Sequence, residues 1–478
     1  MIRRADLLGR LQAMERAQDL YSVLVDGAPI WPILRVQAGT TALRGSLMGF
    51  EAPPPLRTIQ RSVATVNALL QWNALRRIPS PEPLLFRTRR VYQAVTPLGT
   101  VDKFAHPLMV AAASTGWSSV LLHDGPMPHP PFPQQERIHV RRIDAWLRAR
   151  SFVFSKRRSV PLAMLDPRVP ALIHELVAIV GADGVEDLER AIHHFRLHLW
   201  NARTMLERIG PRHVFVTCWY ASENMAMAHA CHERGIPCTD MQHGVQGPAH
   251  LAYGAWHHLP AAGCSSIPSS FWCWDEASAQ HIRSWAPEHA HLAYVGGSPW
   301  LEENAGATPA TPGTILFTMQ PLMETIPPGL GHAIRNDGTD LTWVFRLHPN
   351  GMHMAGHVQI WAAQERIEHR IRIEQPGERP LSGSLENAVV HVTLFSSVVR
   401  EAAMLGIPSI AMHPDAETLY PDLVNGPMLS LVLDPGALAQ RISMIRSGAR
   451  TKHRSIPLTE RLDDLFAMVS SDRSRRSH

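Results

Sequence analysis

Apolar positions along the chain follow two rhythms. Short β-branched or aromatic runs end in polar turns, and longer stretches repeat apolar residues every three or four positions. The stretch 389–412 shows the unit most clearly: Val389, Val390 and Val392 read as a buried strand, and Phe395-Ser396-Ser397 as a turn. A helical pattern follows until Gly406 and Pro408 close it, and 407–412 reads as the next strand. Strand, turn, helix and strand make the repeating unit of a parallel α/β sheet. Further strands are predicted at 84–86, 120–122, 213–218, 238–242 and 271–274, then at 314–320, 343–347, 371–374, 409–412 and 429–433. Helices are predicted over 1–24, where Leu7, Leu8, Leu11 and Met14 share a face, over 170–209, over 224–234 and from 435 to about 469. The segment 30–36 reads as a short strand, and 45–60, with Pro53-Pro54-Pro55, as a loop. Residues 302–313, rich in Ala, Thr and Pro, read as a linker. The chain therefore divides into a first domain 1–301, a linker 302–313, a second domain 314–434 and a C-terminal helical segment with a tail, 435–478.

Length agrees, because 478 residues exceed what one core accommodates and fit two α/β domains. Hydrophobic residues at 45% and charged residues at 18% exclude a disordered chain, and a net charge of +4 gives no general affinity for polyanions. Lys103, Lys156 and Lys452 are the lysines, every other basic side chain being arginine spread over the whole chain, a pattern of coding bias. No apolar run approaches the roughly 20 residues of a membrane-spanning helix. The N-terminus reads as a mixed helix rather than a signal peptide, so the expected location is the cytoplasm. Five cysteines without Cys-x-x-Cys spacing read as reduced, mostly buried thiols. The pairs His193-His194 and His257-His258 lack accompanying ligand spacing, and no Asp-x-Asp motif occurs, so no metal is expected.

One basic stretch changes the picture. Arg137, Arg141, Arg142, Arg148, Arg150, Lys156, Arg157 and Arg158 are interleaved with Trp146, Phe152 and Phe154. The stretch 137–158 is either a solvated helix face or a contact with anionic lipid, each cation contributing roughly 1 kcal/mol near a charged membrane. No nucleic-acid-binding module accompanies it, so nucleic acid is not an expected partner.

Candidate chemistry gathers at strand ends. Gln242-His243-Gly244 ends one strand, Arg346-Leu347-His348-Pro349 another, and Ser396-Ser397 a third. His, Ser and Gly at several strand ends mark the ligand crevice of an open α/β sheet. Ser396 or Ser397 as a helix N-cap offers hydroxyl and backbone N–H groups that stabilise phosphate. Asp124, before Gly125, suits either a general base or an ordinary turn. Glu223 starts a helix beside Trp219 and Tyr220.

Taken in order, Gln242-His243-Gly244, Val295-Gly296-Gly297-Ser298-Pro299, Arg346-Leu347-His348-Pro349, and Ser396-Ser397 with Arg400-Glu401-Ala402 and Leu405-Gly406-Ile407-Pro408 resemble motifs of a known family. It is the bacterial capsule and lipopolysaccharide glycosyltransferases of the GT-B fold, a group similar to CMP-sugar transferases for sialic acid and Kdo and to CDP-glycerol glycerophosphotransferases. The resemblance covers about 210–430, and the ordered spacing carries it, since His-Pro also occurs at His106, His129 and His413. It implies an α/β GT-B architecture: two Rossmann-like domains with parallel sheets facing a central cleft, and C-terminal helices.

By the same resemblance His348, Ser396 and Ser397 would contact the donor's phosphates and Glu401 its ribose. Arg346 and Gln320 join them at the same strand ends. The first domain would hold the acceptor and the base that takes its hydroxyl proton. His243 comes first for that role, Asp124 second and Glu223 third, although His123 stands where an acidic residue often precedes the Asp-Gly pair. The implied activity is inverting, metal-independent transfer of a sugar from a nucleotide-activated donor, CMP-sugar favoured, to a hydroxyl of a growing surface polysaccharide or glycolipid. No cofactor is expected, and the lipid-contact reading of 137–158, one of its two readings, would place the protein peripherally on the inner face of the cytoplasmic membrane. Two alternatives stay open: transfer of a polyol phosphate from a CDP-activated donor, and a non-catalytic lipid- or polysaccharide-binding scaffold.

Overall fold

The computed structural model describes residues 4–43, 58–76, 81–126, 128–155, 161–287, 289–304, 313–320, 326–424, 426–445 and 456–476. They form two compact units, one of residues 1–297 together with 456–478, the other of residues 298–455.

The first unit is built on seven parallel strands: β1 (Leu84–Arg87), β2 (Ser119–His123), β3 (Ile138–Arg142), β4 (His213–Thr217), β5 (Cys238–Met241), β6 (Ser270–Cys273) and β7 (Leu292–Val295). Their spatial order is β3-β2-β1-β4-β5-β6-β7. The second unit has six: β8 (Thr314–Thr318), β9 (Thr342–Arg346), β10 (Ile371–Glu374), β11 (Ala388–Thr393), β12 (Ser409–Ala411) and β13 (Leu429–Leu431), ordered β10-β9-β8-β11-β12-β13. In each sheet the chain works outward in one direction, then returns to the other side of its first strand. The switch points lie between β1 and β4 and between β8 and β11, and an open sheet of this order binds ligands beyond the carboxyl ends there.

Helices cover both faces of such sheets, so β1, β2 and β4 are buried at every position and read as continuous apolar runs without alternation. The helix Val185–Ile209 buries Leu188, Ile192, Phe195, Leu199 and Leu206 in the first unit's main core. On the other face Leu462, Leu465 and Val469 of the helix Leu458–Arg476 join Phe86, Phe215, Met241 and Trp272.

Several elements differ from the sequence reading. The segment 30–36 enters a helix, Trp31–Leu43, because Trp31, Leu34, Arg35 and Ala38 are buried at helical spacing and Pro32 falls in the first turn, where its missing N–H costs nothing. The N-terminal helix ends at Ala17, and a two-residue hairpin follows, with Asp26 and Gly27 at positive φ. The predicted helix 170–209 is two, Val169–Val180 and Val185–Ile209, parted at Gly181 with φ +76. Positions 58–60 of the predicted loop belong to the helix Thr58–Arg76, while 45–57 and 305–312 of the predicted linker lie outside the described residues. An unanticipated hairpin pairs Gln93–Thr96 with Gly99–Asp102 after β1.

The basic stretch is mostly engaged within the fold. Arg142 and Arg148 both bind Asp144, and Arg150 bonds Asn201, Thr204 and the Trp200 carbonyl while stacking 3.3 Å from the Trp200 ring. Trp146 is buried, and Phe154 packs near Trp200, leaving Phe152 exposed; Lys156, Arg157 and Arg158 lie outside the described residues. Arg150 therefore braces its helix against Val185–Ile209, while Arg142 and Arg148 are paired with Asp144 of their own segment.

Candidate functional site

The switch point of the second unit is a polar turn at the carboxyl end of β11. With the Gln320 amide oxygen turned toward it, that oxygen accepts from the Ser396 N–H at 2.7 Å and the Phe395 N–H at 3.2 Å. The Tyr420 hydroxyl donates to the Ser396 carbonyl at 2.7 Å and lies 3.0 Å from the Phe395 carbonyl. The turn is thus pinned from both sides, with the Ser396 and Ser397 side chains half-buried. Ser396 Oγ accepts weakly from the Val398 N–H at 3.4 Å, and Ser397 makes no capping bond, so the expected N-cap is at best partial. Behind it, buried Arg400 grips Asp422 through two bonds of 2.9 and 2.7 Å.

His348 stands just beyond β9, half-buried, and burial holds its pKa below the usual imidazole range. A neutral ring can donate from one nitrogen to a phosphate oxygen. His348 and the two serines therefore belong to one edge of one sheet, with β8 and Gln320 between them. Glu401 lies half-buried on the helix Val398–Met404 that follows the turn. Arg346 is differently placed. It pairs with fully buried Glu374, donates to Ser384 Oγ at 3.0 Å, and reaches the carbonyls of Arg379 at 3.1 Å and Pro376 at 3.3 Å. Its donors are committed to the loop after β10.

At the first unit's switch point, His243 lies half-buried among aromatic rings, its centroid 5.4 Å from Tyr92, 5.9 Å from Tyr220 and 6.4 Å from Phe104. Its Nε2 is 3.3 Å from the Tyr220 hydroxyl. Burial, helped by the nearby Arg89 cation, lowers the His243 pKa to about 4, so the ring is neutral at physiological pH. Arg89 Nε stands 3.7 Å from Glu223, and Arg89 also approaches Cys218 Sγ at 4.0 Å. Burial alone would raise the Glu223 pKa, but His198, Arg87 and Arg89 around it bring it below the ordinary carboxylate value. Below them, fully buried Asp240 accepts from the Tyr253 hydroxyl at 2.5 Å and the Trp219 N–H at 3.0 Å; burial raises its pKa to about 8.

His243 and Glu223 thus share one cluster, bridged by Arg89. Asp124 is exposed at the end of β2, outside this cluster; its neighbour His123 is buried and lies 2.7 Å from Gln93 of the hairpin. Tyr92, Arg89 and Tyr420 were missed by sequence reasoning. An aromatic or arginine in a post-strand loop is the only local signal they carry, and it is shared by many surface residues. Among the described residues no three His, Cys, Asp or Glu side chains gather as metal ligands, and all five cysteines are free and buried.

No family model matches the sequence, and no curated protein matches it. Solved structures match the fold. UDP-GlcNAc 2-epimerase from Methanocaldococcus jannaschii superposes with a TM-score of 0.50 at 13% identity, covering 81% of this chain and 99% of that one. UDP-GlcNAc 2-epimerase from Neisseria meningitidis bound to UDP-GlcNAc gives 0.47 at 13% identity, over 82% and 100% of the two chains. An Arabidopsis thaliana protein complexed with UDP-L-rhamnose gives 0.44 at 12%, over 81% and 94%. At such identities the likeness is one of fold, and the assignment rests on the first of these structures. The chain has the α/β GT-B architecture, two Rossmann-like domains with parallel sheets and C-terminal helices.

Proposed function

We propose that this protein is an inverting glycosyltransferase that takes a sugar from a nucleotide-activated donor and passes it to a hydroxyl of a surface polysaccharide or glycolipid. The observation that carries the reading is the pinned turn 395–396, whose two N–H groups already hold an oxygen, that of Gln320, on the same sheet edge as His348. A phosphate oxygen would displace the amide and gain the same two donors, with the Ser396 and Ser397 hydroxyls and a neutral imidazole beside them. These groups would stabilise leaving-group charge. Preference for a CMP-sugar comes from the family resemblance alone.

In the first unit His243 is the candidate base. A ring held neutral is free to accept a proton at physiological pH, although a pKa near 4 makes it a weak base until substrate and the Tyr220 hydroxyl rearrange the site. Glu223, kept charged by its basic neighbours, suits orientation of an acceptor through Arg89. Asp124, exposed at the next strand end, is the alternative base. Direct attack by the deprotonated acceptor inverts the anomeric centre.

A second reading is epimerisation of a nucleotide sugar, the activity named for the M. jannaschii structure of the same fold. Fold does not fix chemistry. Calorimetry with CMP, CDP and UDP tests the donor site: wild type binds one of them, and His348→Ala or Ser396→Ala/Ser397→Ala weakens binding at least about tenfold, the loss of one charge-assisted contact. Absence of binding by all three overturns both readings. Mass spectrometry separates them, since transfer adds a sugar to an acceptor and epimerisation leaves mass unchanged.

A further inference from the structure

Among the described residues, deeply buried arginines face oxygen acceptors, and Arg87 departs from that pattern. Arg35 holds Glu15, Arg400 holds Asp422, and Arg461 donates to the Gly296 carbonyl. Arg87, 5% exposed at the carboxyl end of β1, has the Met205 sulfur at 3.7 Å as its hydrogen-bond acceptor, and none of its N–H groups meets an oxygen of the described residues. A thioether accepts only weakly. A buried guanidinium matched so poorly costs stability, and an anionic ligand would supply the missing acceptor.

Arg87 stands level with Val216 of β4, across the switch point where an open sheet takes its ligand. It joins the His243 cluster through Glu223. His198, Arg87 and Arg89 all act on that carboxylate, yet among the described residues Arg89 alone comes within ion-pair distance of it, at 3.7 Å. His198 adds no cation, because burial lowers its pKa to about 4 and leaves the ring neutral at physiological pH. Asp240, raised to about 8 by burial, is protonated there and adds no second anion. One carboxylate therefore faces two guanidiniums, and with Arg89 committed to Glu223, Arg87 keeps its donors for a ligand. The planar fork of an arginine matches the paired oxygens of a carboxylate or a phosphate. We propose that Arg87 binds an anionic group of the acceptor, a carboxylate or a phosphate, so that the protein acts on a charged glycan in preference to a neutral one. This inference rests on the transferase reading, in which the first unit holds the acceptor.

Calorimetry of the full chain with glucose, glucuronate and glucose 6-phosphate tests it. Wild type binds glucuronate or glucose 6-phosphate and not glucose, the tighter of the two telling a carboxylate from a phosphate, and binding weakens as salt screens the charge. Arg87→Met weakens binding of that anion at least about tenfold, the loss of a charge-assisted contact. Its melting temperature holds or rises, because a buried cation without an oxygen partner has been removed. Arg87→Lys, which keeps the charge and loses the fork, retains part of the affinity. Silence with all three sugars, equal binding of glucose, or undiminished anion binding by Arg87→Met overturns the proposal. So does a clearly lower melting temperature in Arg87→Met, since the arginine then serves packing. Nucleotide calorimetry on the same proteins separates the two readings. If Arg87→Met loses nucleotide affinity in step, the arginine serves the donor, and this inference falls while the transferase reading stands. Absence of nucleotide binding by wild type overturns the transferase reading itself, whatever the sugars show.

Discussion

Glu374 is fully buried, and Arg346, the least exposed of the arginines around it, shares it with Arg372, Arg379 and the Ser384 hydroxyl. Removing Arg346 leaves Arg372 on Glu374 at 3.0 Å but takes away its most buried cation and the donors to Ser384 and two carbonyls, a loss approaching the roughly 3–5 kcal/mol of a broken buried pair. Arg346→Met should therefore lower the urea midpoint of unfolding sharply, whereas a phosphate-contacting arginine would lower nucleotide affinity and leave stability nearly unchanged. An unchanged midpoint with lost nucleotide binding would return Arg346 to the donor site. His348 lies two residues further on and differs in kind, being half-buried just past the strand end. The sequence placed both residues at one strand end. Which of them faces a carboxylate depends on β10 and its following loop, which no local pattern encodes.

At the scale of elements, the helix Leu458–Arg476 covers one face of the first sheet through Leu462, Leu465 and Val469. Leu465 is completely buried, so Leu465→Ala should cost about 2–5 kcal/mol through lost transfer energy and the cavity left behind. Denaturant unfolding measures it, and a loss below about 1 kcal/mol would mean that the helix is not held by this core. Strand existence was legible because strands buried on both faces are short, continuous apolar runs; the strands of both sheets were anticipated except Ile138–Arg142, whose charged residues disguised it, and the edge strand Leu292–Val295, which is not buried throughout. Trp31–Leu43 was misread because a short apolar run fits a buried strand and a buried helix equally well. The hairpin Gln93–Thr96 with Gly99–Asp102 escaped notice because its two-residue turn is Pro97-Leu98, without the Asn-Gly or Asp-Gly signal.

For the whole molecule, buried titratable groups set the response to pH. The ordinary imidazole value of 6.5 falls on burial to about 4 for His243 and about 3 for His250 and His391. Between those values and 6.5 the unfolded chain binds protons that the folded chain refuses, so stability falls as pH drops below about 6.5. Asp240 works in the opposite sense. Burial raises it from 3.8 to about 8, so the folded state holds a proton the unfolded chain has released, and stability falls as pH rises through that window. Below 6.5 the histidines outnumber it, and from 6.5 to 8 Asp240 is the one of these groups still titrating. Urea midpoints should therefore peak near pH 6.5, and Asp240→Asn should flatten the decline between 6.5 and 8. A midpoint rising steadily to pH 8 would contradict this assignment.

The amino-acid sequence by itself determined the alternation of strands and helices, the parallel α/β class and the candidate residues at strand ends, because periodicity and turn chemistry are properties of neighbours along the chain. Tertiary structure alone decided that β1 meets β4 and β8 meets β11, and so where each switch point lies. It also decided that Gln320 and Tyr420 pin the serine turn, that Arg89 joins Glu223 to the His243 cluster, and that Arg142 and Arg148 pair with Asp144 while Arg150 bonds to the helix Val185–Ile209. Each of those outcomes rests on contacts between residues far apart in the chain, whose free energy appears only when helices and strands bury one another's surfaces.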